Sequence, residues 1–365
     1  MSTIKVTSSY IKKLISQDEH LGMTKKVNHF EPYVSVWVIT YQHAKYIRDC
    51  IESILMQKAN FLYEIVIGED QSTDGTREIC IEYAQKHQDK IRLFLRNRKQ
   101  TVIVDESGNF IKSLNGILTL YACRGKYIAM LEGDDYWTDP YKLQKQVDFL
   151  ESHPDYGLVH TEYDEFIETE NRVVKNVHKG RHNVISGMIF IDLLHVNFIA
   201  TATVVCRKNL VIDALNSFAS DFYKWKMGDY PLWLYISTRS KIMYLQDNTT
   251  VRRVLDESLS KSKNPLYIID LMFARIEVIN YFLNHFELDA RIKVEVLTRY
   301  YESILWKAFK IMNCEYASTA YYSLLSLNPK ANIKYHLYYW GTKNKLINKG
   351  VLILKNLYGK YFATK

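Results

Sequence analysis

The sequence predicts an α/β domain, with a mostly parallel central sheet flanked by helices and a helical extension behind it. Three observations carry this. Short Val- and Ile-rich runs alternate with segments of helical period from Tyr33 to Leu131, the rhythm of a parallel sheet with crossover helices. Two acidic clusters, Gly68-Glu69-Asp70-Gln71-Ser72-Thr73-Asp74-Gly75-Thr76 and Leu131-Glu132-Gly133-Asp134-Asp135-Tyr136-Trp137, each follow a short apolar run. Carboxylates there suit ligands, because open α/β sheets bind at the carboxyl ends of their strands. From Tyr267 onward, Tyr and Leu recur at helical spacing only.

Each element has its own signal. Tyr33 to Thr40 is rich in Val and Ile and reads as a strand, and Ala44 to Gln57 places Ile47, Ile51, Ile54 and Leu55 at helical spacing. Glu64 to Gly68 is the second strand, Thr76 to His87 a helix, Ile91 to Leu95 the third strand. Residues 97–110 are polar and read as a loop; Lys112 to Cys123 reads as a helix and Lys126 to Leu131 as the fourth strand. Pro140 to Ser152 is a helix with Pro near its start. Beyond it the pattern predicts a strand at Gly157 to Thr161, a hairpin or loop over 162–182, a helix at Ser186 to His195 and a strand at Thr201 to Cys206. A helix at Asp229 to Ser237, a strand at Ile242 to Leu245 and a mobile polar segment over 247–265 follow. These readings divide the chain into an N-terminal arm (1–32), an α/β domain (33–265) and a helical region (266–365).

Composition excludes several classes. An apolar fraction of 47% over 365 residues supports a sizeable core rather than disorder. Five scattered cysteines without CxxC spacing point to neither a zinc site nor a disulfide framework, and suit a reducing cytoplasm. Residues 1–30 hold no apolar run of the secretory type, and the longest apolar stretch, Ile185 to Cys206, is broken by Asp192, His195 and Asn197.

The net charge of +8 is concentrated at one end. No Asp, Glu or Arg follows Glu315, whereas Lys330, Lys334, Lys343, Lys345, Lys349, Lys355, Lys360 and Lys365 do. Without those eight, 40 basic residues face 40 acidic ones. Trp340, Leu346, Ile347, Ile353, Leu354, Tyr358, Tyr361 and Phe362 are interleaved with them. Residues 331–365 therefore suit either an anionic membrane surface or a terminal helix docked with its lysines in water. No recognition motif for nucleic acid accompanies the charge.

The clusters carry the chemistry. Glu132, Asp134 and Asp135 lie within four positions and repel one another unless a cation or donors compensate. Oxygen donors of this kind favour Mg²⁺ or Mn²⁺; as a plain acidic turn they would be unexplained, since Asp139 already caps the helix after Pro140. In the first cluster Asp74 and Gly75 are good cap and turn residues for the following helix, which leaves Asp70 as the ligand candidate.

Together the clusters resemble glycosyltransferase family 2. Val34-Ser35-Val36-Trp37-Val38-Ile39-Thr40-Tyr41 resembles the family's opening strand, and Tyr46-Ile47-x-x-Cys50-Ile51-x-Ser53-Ile54-Leu55-x-Gln57 the helix after it. Glu69 to Thr76 resembles the Asp-Asp-x-Ser-x-Asp-x-Thr element, and Arg124-Gly125-Lys126-Tyr127-Ile128 with Glu132-Gly133-Asp134-Asp135 the metal-binding strand; in both, Glu stands for the leading Asp. Gly228-Asp229-Tyr230-Pro231-Leu232-Trp233 is similar to the segment holding the family's base. Arg253-Val254-x-x-Glu257-Ser258-Leu259-Ser260 is similar to the segment over the diphosphate, with Arg252 where Tyr is usual and Leu255 where His is usual.

The resemblance implies a GT-A fold and an inverting, metal-dependent glycosyltransferase. It would move a sugar from a nucleotide-diphosphate donor, a UDP-sugar first, to a hydroxyl of a glycan or lipid-linked saccharide in cell-surface polysaccharide synthesis. It implies a cytoplasmic place, with peripheral contact at the inner membrane face. Thr40, Tyr41, Glu69, Asp70, Asp74, Glu132, Asp134 and Arg253 would form the nucleotide-sugar site, Asp134 and Asp135 would hold Mn²⁺ or Mg²⁺, and Asp229 would be the catalytic base. Asp229 also reads as a helix N-cap, and both roles are compatible. A dehydrogenase or nucleotidyltransferase would need a glycine-rich loop after the first strand, where Tyr41-Gln42-His43-Ala44 has no glycine. The remaining alternative is a non-catalytic nucleotide-sugar-binding or membrane-scaffold protein of the same fold.

Overall fold

The computed structural model describes residues 8–16, 20–21, 31–181, 184–218, 221–256, 264–329 and 332–357. Glu257 to Ser260 and the tail residues Tyr358, Lys360, Tyr361, Phe362 and Lys365 lie outside them. Backbone contacts divide the chain into two units, Met1–Asp256 and Glu257–Lys365.

The first unit runs α1 (Ser8–Ser16), β1 (His20–Leu21), β2 (Val34–Thr40), α2 (Ile47–Leu55), β3 (Tyr63–Glu69), α3 (Thr76–Lys86), β4 (Ile91–Leu95), α4 (Arg98–Thr101), β5 (Val102–Val104), β6 (Phe110–Ser113), α5 (Asn115–Ala122), β7 (Tyr127–Glu132), β8 (Tyr136–Trp137) and α6 (Lys142–Ser152). It continues through β9 (Tyr156–Ile167), β10 (Arg172–Val174), α7 (Val177–Arg181), α8 (Phe190–His195), β11 (Val205–Arg207), α9 (Lys208–Phe218), α10 (Tyr230–Arg239) and β12 (Lys241–Val254).

The main sheet has the order β1-β4-β3-β2-β7-β11-β9-β12-β8, with β10 paired to β9. Strands β4, β3, β2 and β7 are mutually parallel, and β11 runs antiparallel to both β7 and β9. The parallel strands are mainly apolar because both faces are covered: Val34, Val36, Val38, Ile65, Ile67, Ala129 and Leu131 are buried against Ile47, Ile51, Ile54, Cys80 and Leu143 on one face, and α5 packs on β2 and β3 from the other.

Four readings of the sequence differ from the structure. Residues 97–110 are not a loop: Asn97 caps α4, and β5 and β6 form a hairpin. Lys112 therefore lies on a strand, and the helix begins at Asn115. Thr201 to Thr203 form a 3-10 turn before β11. The fourth difference concerns β9 and β12, which run on to Ile167 and Val254 as a long parallel pair, so residues 247–254 are strand rather than a mobile segment. Charged residues misled here because Glu162, Glu165 and Arg253 are buried with partners.

The second unit is helical: α11 (Pro265–His285), α12 (Ala290–Lys310), α13 (Cys314–Leu327), α14 (Ile333–Lys343) and α15 (Lys345–Leu357). The side chains of Asn264, Asp289, Asn313 and Asn332 cap the first four of these helices by accepting backbone N–H groups. Ile276, Ile279, Phe282, Ile304, Phe309 and Ala320 are buried in this unit. Gly341 lets α14 approach Phe309, whose ring a Cβ would meet at 2.4 Å.

Candidate active site

Strand register brings the two acidic clusters to one edge of the sheet. Thr40 lies opposite Glu69, and Ile39 opposite Glu132, so β3, β2 and β7 end together. The turn after β7 then folds back tightly. Gly133 donates its N–H to Ile39 O at 2.9 Å, and a Cβ there would lie 2.6 Å from Thr40 Oγ1 and 2.9 Å from His43 Nδ1. Only glycine fits this approach.

In the first cluster, Glu69 and Asp74 are engaged within the protein. Glu69 accepts the Ser72 N–H at 2.6 Å and pairs with Arg77. Asp74 accepts the Ala44 N–H at 2.9 Å, the Thr76 N–H at 3.0 Å and the Thr76 hydroxyl at 2.6 Å. Burial opposes ionisation of Asp74, but these donors hold its carboxyl below the ordinary range. The adjoining loops carry two non-glycine residues in left-handed conformation, Gln42 (φ 57°) and Gln71 (φ 62°). Both are pinned: Thr73 N–H donates to Gln42 Oε1 at 2.7 Å and Arg98 N–H to Gln71 Oε1 at 2.8 Å. Such conformations persist only where the surroundings hold them.

Asp70 differs in what it holds. Its carboxylate takes a hydrogen bond from Thr101 Oγ1 at 2.8 Å and an ion pair from Arg98. Burial raises its carboxyl, and Thr101 and Arg98 offset part of that. The Arg98 guanidinium lies 3.7 Å from the centre of the Tyr41 ring and 5.7 Å from that of Phe110. Tyr41 and Phe110 are exposed while Thr40 is buried beneath. The result is a flat cationic-aromatic platform beside two polar groups. Arg98 and Phe110 were missed in the sequence because 97–110 read as loop.

The second cluster is gripped from β12. Arg253 donates its backbone N–H to Asp135 Oδ1 at 2.7 Å and its guanidinium to the Asp134 carbonyl at 2.7 Å and to Asp49 at 2.5 Å. The guanidinium also faces the rings of Tyr46 and Tyr136, at 5.2 and 4.5 Å. Arg252 interacts with Asp135, Glu132 and Glu165 from the same strand. Arg253, expected against the diphosphate, grips the acidic turn, and Arg252 faces the cluster's carboxylates from the same strand.

Asp229 joins this cluster from nearly a hundred residues away. It caps α10 through the Tyr230 N–H at 2.7 Å, and its second oxygen accepts Thr201 Oγ1 at 3.1 Å. The Thr201 hydroxyl also lies beside the Glu132 carboxyl. Burial, then the neighbouring Asp134 and Asp229, push the Glu132 carboxyl up to about 8. Burial, Asp134 and Glu132 push Asp135 well above the carboxylate range. Glu132 thus feels both Asp134 and Asp229, and Asp135 feels Asp134 and Glu132, with Arg252 partly offsetting both. The segment leading to Asp229 is tied to the hairpin: buried Lys112 on β6 donates to Phe222 O at 2.7 Å and to Met227 O at 3.2 Å.

A family model described as "Glycosyl transferase family 2" matches residues 35–210, which include both acidic clusters and Thr201. Residues 35–210, just under half of the chain, are thus similar to family 2 glycosyltransferases. An uncharacterized protein of Mycobacterium tuberculosis is 38% identical over 122 residues, 33% of this chain and 32% of its own length. The Bacillus subtilis protein TuaG, provisionally described as a teichuronic acid biosynthesis glycosyltransferase, is 32% identical over 124 residues, 34% of this chain and 44% of its own. The chain thus spans less than half the length of these relatives. A crystal structure of S. aureus TarS 1–349 in complex with UDP-GlcNAc superposes with a TM-score of 0.58 at 16% identity, over 91% of this chain and 93% of that one. The likeness shows the GT-A fold.

The donor chemistry of the turn after β7 is that of hard divalent ions. Asp134 and Asp135 offer oxygen only, and burial first, then the neighbouring carboxylates, raise Glu132 and Asp135, with Arg252 partly opposing the rise. Among the described residues no three His, Cys, Asp or Glu side chains are grouped to hold a metal by themselves. An ion there would draw further oxygens from a substrate.

Proposed function

We propose that this domain is an inverting glycosyltransferase acting from a nucleotide-diphosphate sugar, a UDP-sugar first, onto a hydroxyl of a glycan or lipid-linked saccharide in cell-surface polysaccharide synthesis. The observation that carries the reading is the meeting of Asp229 with the acidic turn through Thr201. A capped carboxylate, fixed in direction by the Tyr230 N–H, stands beside carboxylates of the kind that divalent ions take as ligands.

In this reading the nucleoside end lies on the Tyr41–Arg98 platform, with Thr40 and Asp70 as polar contacts. Asp229 takes the proton of the acceptor hydroxyl as its oxygen bonds to the anomeric carbon. The bond from that carbon to the diphosphate breaks on the opposite side, and the nucleoside diphosphate leaves with the electron pair. Asp134 and Asp135 would hold Mn²⁺ or Mg²⁺, which supplies Lewis-acid stabilisation of the diphosphate charge. Arg252 keeps the acidic turn electrically tolerable and Arg253 keeps it in place. TarS, of the same fold, was crystallised with UDP-GlcNAc, which supports trying that donor first. The acceptor class leads to a cytoplasmic enzyme at the inner membrane face.

The test is the Asp229→Asn variant, assayed with UDP-sugars and Mn²⁺ or Mg²⁺. Its kcat should fall by about 10²–10⁴ while donor binding persists. Full activity of the variant, or no transfer by the parent protein from any donor, defeats the mechanism.

A further inference from the structure

The helical unit carries a lysine-flanked apolar face that the transferase reading does not use. In α15 the inner side is settled by Asn348 and Val351, both buried, with Asn348 Nδ2 donating to Phe309 O at 2.9 Å. Leu346 and Ile353, and likewise Ile347 and Leu354, are seven residues apart. Two helical turns separate each pair, so each pair stacks on one side. All four are exposed, Leu346 at 81%.

Helix α14 repeats the pattern. Ile333 and Trp340, again seven apart, are both exposed, Ile333 at 73%. A helix docked only onto its own unit would turn such residues inward. Lys345 and Lys349 are exposed on α15, and Lys343 stands 5.6 Å from the Trp340 ring. From Tyr316 to Lys365 there is no acidic residue to oppose them. No helix among the described residues is long and apolar enough to cross a membrane.

We propose that the outer faces of α14 and α15 lie on an anionic lipid surface, with Leu346, Ile347, Ile353, Leu354 and Trp340 entering the headgroup boundary and the lysines meeting lipid charge. The combination decides the occupant. A protein partner of ordinary surface would be served by the apolar stripe alone, whereas an uninterrupted cationic flank beside Trp and aliphatic side chains is the pattern that interfacial helices use.

The test uses the full chain, and its outcome is independent of whether the protein transfers sugar. Co-sedimentation is measured with phosphatidylcholine vesicles and with vesicles also containing phosphatidylglycerol. The parent chain should bind the anionic vesicles, less so at high salt. Leu346→Asp with Ile353→Asp should weaken binding about tenfold or more, and Lys345→Glu with Lys349→Glu should remove the preference for phosphatidylglycerol. Leu62→Asp, an exposed apolar site in the other unit, should change nothing. Equal binding by parent and double-Asp chains overturns the proposal, as does no binding by the parent. A stable dimer by light scattering that Leu346→Asp converts to monomer also overturns it, since the face then belongs to a second copy.

Discussion

Arg253 holds both acids of the turn after β7 by different atoms: its N–H reaches the Asp135 carboxylate and its guanidinium the Asp134 carbonyl, each at 2.7 Å. The first contact is made by the backbone and survives any substitution but proline; the second is made by the side chain. Arg253→Met should therefore leave Asp135 oriented and release Asp134, together with the ion pair to Asp49. We expect a stability loss of about 1–3 kcal/mol by denaturant titration. Transfer should fall at least tenfold, with the larger part in kcat. An unchanged kcat would mean that the position of the turn does not matter to the reaction.

Lys112 gives a pH prediction. Burial lowers its ammonium to about 7, with Asp229 partly opposing that. Its unfolded value is near 10.4. Between these values the folded chain has released a proton that the unfolded chain retains, so stability rises with pH across the window. The cost of the buried charge is fully present below pH 7. The difference in melting temperature between the parent and Lys112→Met should therefore move in favour of the parent from pH 7 to pH 9.5. The Met variant should also lose kcat, because the Phe222 and Met227 carbonyls before Asp229 lose their donor. A pH-independent difference would show that Lys112 is held as an ammonium throughout.

The first half of the fold was legible because its strands and helices differ in period and its strands are mainly Val- and Ile-rich. Legibility failed where burial was polar. The hairpin at 102–113 had a signal in Val102-Ile103-Val104 followed by Asp105-Glu106-Ser107-Gly108-Asn109, but its surrounding polarity hid it. Helix α9 had Val211, Ala214, Leu215 and Phe218 at helical spacing and was overlooked. Around the candidate site, Asp70, Asp134 and Asp135 stood out as carboxylates after apolar strands, whereas Asp229 was singled out through the family resemblance. Arg98 at Asp70, Arg252 at the acidic cluster and Thr201 between Glu132 and Asp229 could not, since each contact depends on pairing across the chain.

Gly133 tests how closely the turn must approach β2. Gly133→Ala would set its Cβ 2.6 Å from Thr40 Oγ1 and 2.8 Å from Thr40 Cβ. Neither neighbour is the far end of a flexible side chain, so the turn itself must move. A cost of about 1–3 kcal/mol follows, lowering the melting temperature by roughly 2–12 °C and reducing activity beyond what the folded fraction explains. Parent-like melting and kinetics would show that the turn yields without penalty.

Arg98 tests the nucleoside end. Its guanidinium is ion-paired to Asp70 and lies 3.7 Å from the Tyr41 ring centre, so it presents a preformed flat surface at the end of β3. If a base uses that surface, Arg98→Ala should raise the donor KM about tenfold, equivalent to about 1.4 kcal/mol, with kcat within a few-fold of the parent. Tyr41→Ala should do the same, and the double variant should lose less than the sum, because both remove one stacking surface. Asp70→Asn separates charge from stacking. It keeps the Thr101 contact but gives up the ion pair, so its effect should be smaller than that of Arg98→Ala if the platform carries the affinity. A fall in kcat with donor KM unchanged would place Arg98 away from the base and move the nucleoside end elsewhere.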